Sequence, residues 1–120
     1  MSLESKLKEE YKDMVDRWER GDLYYHLKQY IRTYTKYPVK AGLKKYICTV
    51  LAIARVGSPI TSSLVAWLAN VKIDAAHSEL KHLTSLKIVE PVSTKEKLRK
   101  YKLTKDFIDA VYTRLSDVNR

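Results

Sequence analysis

Ala75, His77, Ser78, Lys81, His82 and Ser85 share the outward side of one helix if Ala76, Leu80 and Leu83 point inward. Serine, histidine and lysine on such a side can hydrogen-bond to the exposed edges of another molecule. Farther along, Lys95, Lys97, Arg99 and Lys100, followed by Lys102, have only Glu96 as an acidic neighbour. So dense a run of cations can neutralise phosphates or put an arginine into a narrow groove of nucleic acid. The plainer account of both sets is a solvated helix face and a charged hairpin whose lysines keep its edges from pairing.

Residue types that support catalysis elsewhere are not arranged for it in this chain. His26, His77 and His82 fall in no Cys/His metal pattern, and Cys48 stands in an apolar stripe where a buried, inert thiol is the default. Three glycines do not make a glycine-rich phosphate loop, and no nucleophile, base and acid can be matched by spacing. Ser62 and Ser63 read as the polar first turn of a helix. No enzymatic activity, metal or cofactor is expected.

The elements that must position these residues follow from hydrophobic spacing. Leu3, Leu7, Tyr11, Met14, Val15 and Trp18 predict an amphipathic helix over residues 3–20, stopped at Gly21. Asp22 is expected to cap a second helix with the stripe Leu23, Leu27, Tyr30, Ile31 and Tyr34, ending before Pro38. Leu43, Ile47, Val50, Leu51 and Ala54 predict a third, closed by Gly57, Ser58 and Pro59. Thr61 then caps a short helix bearing Leu64, Val65 and Leu68, and Asp74 caps another. Two helices a few residues apart, the first short, make a helix-turn-helix candidate. Residues 88–92 favour strand, residues 98–103 alternate, and residues 93–97 form the tip between them. In that alternation Arg99, Tyr101 and Leu103 share one face. Thr104 caps a last helix with the apolar face Ile108, Val111, Tyr112 and Leu115.

Residues 41–117, in the order helix, short strand at Ile60, helix, turn, helix, strand, wing, strand and helix, resemble winged helix-turn-helix domains of the MarR, ArsR and PadR regulators of bacteria and archaea. Pro59-Ile60-Thr61 leading into Leu64-Val65-Ala66-Trp67-Leu68-Ala69 looks like the entry to the first helix of that motif. Residues 74–89 are similar to its recognition helix running into the first wing strand. Tyr101-Lys102-Leu103-Thr104 resembles the end of the second wing strand. The family pattern has glycine just before the first wing strand, where the chain needs positive φ, and this chain has Lys87. The resemblance implies a mainly α fold with a small β-hairpin wing and a winged domain with its C-terminal helix at residues 41–120, while residues 1–37, read from their spacing alone, are expected to form an N-terminal helical arm that serves as a dimer interface. The resemblance also implies a regulator of transcription that binds double-stranded DNA. The helix at 74–87 would enter the major groove and the wing at 88–103 would meet backbone or minor groove.

Charge agrees with a polyanionic partner. The 120-residue chain carries a formal +9, and residues 23–73 hold eight basic side chains and no acidic one. Residues 1–22 instead carry five basic and seven acidic groups. Nine tyrosines, five of them between Tyr24 and Tyr37, suggest an interface, and the flanking amphipathic helices suggest a homodimer. The single cysteine and the early charges after Met1 predict an intracellular, cytoplasmic protein without a secretory leader, and the longest apolar runs fall far short of a membrane span. Few amide side chains fit a thermophilic, archaeal-type source. Two other readings remain open at this stage. One is a protein-interaction module of a replication or transcription assembly. The other is a single-strand or RNA binder using Tyr25 with Lys28, Arg32 and Lys36, although spacing by four on an outward ridge is also what a solvated face shows.

Overall fold

The computed structural model describes residues 2–33, 42–92 and 99–117. Helix α1 spans Leu3–Glu19, with Ser2 Oγ accepting from the Ser5 amide at 3.2 Å. Helix α2 spans Asp22–Ile31 and α3 spans Leu43–Val56. Strand β1, Ile60–Thr61, leads directly into α4, Ser62–Ala69, and α5 follows at Ile73–Ser85. Strands β2, Val89–Val92, and β3, Lys100–Leu103, precede a C-terminal helix in three pieces: α6 at Lys105–Phe107, a π-helical turn at Ile108–Tyr112 and α7 at Thr113–Asp117. The chain is thus mainly helical, with one small antiparallel sheet of order β1-β3-β2.

Local chemistry accounts for most boundaries. Thr61 caps α4 by accepting from the Leu64 amide at 3.2 Å, and Thr104 caps α6 by accepting from the Phe107 amide at 3.1 Å. Gly57 closes α3 at φ +89°, where its amide and that of Ser58 reach back to the Ala54 and Ile53 carbonyls. Two expected caps are corrected. Gly21, at φ +90°, precedes α2, and Asp22 is its first helical residue. Lys72 precedes α5 with no side-chain cap, and Asp74 lies in the first turn, where its charge still complements the helix dipole. Helix α5 also ends earlier than the expected Lys87.

One continuous core joins the two halves of the chain. Leu7 and Met14 of α1, and Leu23 and Leu27 of α2, are buried in the same cluster as Ile47 and Leu51 of α3, Leu80 and Leu83 of α5, and Val111 and Leu115 near the C-terminus. The expected C-terminal stripe therefore holds, but its largest fully buried side chain is Phe107, which the spacing left out. Phe107 meets the Tyr30 ring edge-on at 5.4 Å. Arg17 is 1% exposed, and it donates to Asp13 at 2.9 Å and to the Leu115 carbonyl at 2.8 Å. Asp13 also accepts from Arg55 at 3.3 Å, and Arg55 pairs with Glu10 at 3.3 Å. Burying a charge is costly unless it is paired and hydrogen-bonded, and Arg17 meets both conditions, although Glu10 Oε2 is buried with an ion pair and no hydrogen bond. The ions tie α1, α3 and the C-terminal helix together.

In the sheet, Val89 pairs with Leu103 and Pro91 with Tyr101, whereas Ile60 pairs with Tyr101 from the other side. Pro91 sits on the outer strand β2, where its missing amide removes no interior ladder bond. Lys87 takes φ +61° in the turn after α5. Its carbonyl accepts from both the Tyr30 phenol and the Thr104 hydroxyl, each at 2.5 Å.

Candidate nucleic-acid interface

Helices α4 and α5 meet through a short turn in which Asn70 takes φ +56° and the Val71 amide reaches the Ala66 carbonyl at 3.0 Å. Ala76, Leu80 and Leu83 are completely buried, which fixes the rotation of α5. The consequence is the expected one: Ala75, His77, Ser78, Lys81, His82 and Ser85 are all exposed on its outer side. Two of these are already engaged. The Ser85 hydroxyl donates to the His82 carbonyl at 2.6 Å, so its hydrogen is spent on its own helix. His77 Nδ1 lies 2.9 Å from Ser62 Oγ of α4.

The basic strand sits beside the start of α4. Lys100 pairs in register with Thr61, the cap of α4, and is half-buried. Thr61 and Ser62 therefore stand between a lysine of the sheet on one side and the outer face of α5 on the other. Arg99 is exposed, unlike Tyr101 and Leu103, with which the alternation grouped it. Lys102 is exposed and 3.6 Å from Glu90 across the β2–β3 pair, an ion pair too open to contribute much. Lys95 and Lys97, with the rest of the tip at residues 93–97 and Leu98 after it, lie outside the described residues.

Three features escaped the sequence reading. Trp67 of α4 is 42% exposed, and Lys8 of α1 sits over its ring at 5.5 Å. Apolar helical spacing gives no hint that this tryptophan points outward. A recess of about 560 Å³ lies between the end of α3, the sheet and the C-terminal helix, lined by Ala54, Pro59, Ile108 and Tyr112 with Lys100 and Lys102 among its polar members. It depends on three distant segments, and no motif announces it. The third is Ser62, whose burial separates it from its exposed neighbour Ser63.

The outer side of α2 carries a second aromatic and cationic set. Tyr25 is 60% exposed beside His26, with ring centroids 5.4 Å apart, and Lys28 lies 6.0 Å above the Tyr24 ring. Arg32 is exposed, while Lys36 lies outside the described residues. Among the described residues no group of His, Cys, Asp or Glu could hold a metal ion, and no helix is long and apolar enough to cross a membrane. No family model, curated protein or solved structure matches the chain significantly.

Proposed function

We propose that this chain is a winged helix-turn-helix protein that binds double-stranded DNA and regulates transcription. Helix α5 enters the major groove, and the β2–β3 pair lies along the backbone or minor groove. The observation that carries the reading is the outer face of α5, where Ala75, His77, Ser78, Lys81, His82 and Ser85 are all exposed with Asp74 as their acidic neighbour in the first turn, across the start of α4 from the lysine-bearing strand β3. A helix in the groove reads base edges with polar side chains, and Ser78, Lys81 and His82 supply donors and acceptors there. Arg99 and Lys100 act on phosphates.

In a homodimer, two such helices address half-sites about one turn of DNA apart. Leu7 and Met14 of the α1 stripe and Leu23, Leu27, Tyr30 and Ile31 of the α2 stripe are buried in their own chain, so pairing uses what those helices leave outside, such as Leu3 at the start of the α1 stripe and Tyr25. Selection of bound fragments from random duplex DNA tests function and symmetry together. A palindromic consensus supports the dimer, and a single short motif supports a monomer. Tyr25 and the cations near it favour a second reading, single-strand binding by stacking. Competition between duplex and single-stranded probes over a salt series separates the two, and a clear preference for single strands would count against α5 in the groove.

A further inference from the structure

Ser62 is the first residue of α4 and is only 3% exposed, yet its hydroxyl meets an exposed side chain, His77, at 2.9 Å. Among the described residues no other hydrogen bond engages that hydroxyl. A buried hydroxyl hydrogen left without an acceptor loses its whole hydration, whereas an oxygen with an unused lone pair loses less. The Nδ1 lone pair is the acceptor within reach. Ser62 therefore donates, and the ring of neutral His77 must carry its own hydrogen on Nε2.

His77 lies in the N-terminal half of α5, the part of a groove-binding helix that reaches base edges. With Nδ1 held from below, Nε2–H is left as a donor on the outer side. We infer that Ser62 fixes His77 as an outward donor, and that His77 selects a base with acceptors on its major-groove edge, guanine first, against cytosine. Guanine presents N7 and O6 there, adenine N7 and thymine O4, while cytosine presents only an amino donor. A ring already fixed in rotamer and tautomer also loses little freedom on binding, so Ser62 is a positioning residue for the contact. The base-selection half rests on the duplex-binding reading of α5, and the tautomer half does not.

Long-range proton–nitrogen NMR of the free protein at pH 8 reads the tautomer directly. Hydrogen on Nε2 of His77 is expected, with averaging over both nitrogens in Ser62→Ala. Hydrogen on Nδ1 in the wild-type protein would overturn the assignment. The second arm selects fragments from random duplex DNA with the wild-type, Ser62→Ala and His77→Ala proteins. His77→Ala changes an exposed position and so guards against a Ser62→Ala chain that does not fold. The wild-type protein should show a position preferring guanine over cytosine, weakened roughly three- to tenfold in both variants, the worth of one hydrogen bond, with other positions kept. Identical preferences in all three proteins would overturn the inference and leave duplex binding standing. No duplex binding by the wild-type protein would remove the functional reading and the base-selection claim with it, whatever the tautomer.

Discussion

Lys87 holds φ at +61° with a full side chain, in a turn where glycine adopts the same backbone without steric cost. The two hydroxyls that grip its carbonyl, from Tyr30 and Thr104, do not depend on its side chain. Lys87→Gly should therefore stabilise the fold by about 0.5–1 kcal/mol in urea unfolding, and a loss of stability would show that the lysine side chain contributes something the turn needs. This position was legible in the sequence as one that needs positive φ, and the turn has it. Thr61 and Thr104 were readable as caps because a hydroxyl three residues before a helical amide is local chemistry. Asp22 and Asp74 were misplaced because an aspartate suits the cap and the first turn alike. The burial of Ser62 was not readable, since it depends on where α5 crosses α4.

Spacing identified which face of each helix is apolar, but not what covers it. The stripe of α1 suited either a second copy of the chain or a cap on its own domain, and Leu7 and Met14 are buried with α3 of the same chain while Leu3 stays exposed. Charges that no periodicity reveals join that contact: Arg17 and Asp13 on α1 meet Arg55 on α3 and the Leu115 carbonyl. Arg17→Ala leaves that carbonyl and part of Asp13 without their buried donor, so unfolding should become easier by about 3 kcal/mol. Urea unfolding checks the magnitude, and an effect near zero would mean that α1 is held by its apolar contacts alone. The β2–β3 pair was readable from its alternation and the short strand at Ile60 from the order of elements, whereas the pairing of that strand with Tyr101 and Lys100 was not.

Across the whole molecule, acids held neutral by burial give the fold a sensitivity to high pH. Burial pushes the Cys48 thiol from 9.0 to about 12, and it also raises the phenols of Tyr11 and Tyr112. Each folded value lies above the unfolded one, so the stability tied to Cys48 is fully present below pH 9.0 and is lost as pH climbs toward about 12. The urea midpoint should fall between pH 8 and pH 10, and less so in Cys48→Ala; an equal fall in both proteins would clear the thiol of any part in it. The fold as a whole places a polar helix face and a basic strand on either side of the start of α4, and the central claim is that duplex DNA binds there. Fluorescence anisotropy of a labelled duplex over a salt series, with the wild-type protein and the folded Lys81→Ala, Arg99→Ala, Lys100→Ala triple variant, tests it most directly. Each lost phosphate contact lowers the salt slope by about 0.9, so losing Arg99 and Lys100 should lower it by about 2, with weaker affinity throughout. An unchanged affinity and slope would contradict the account.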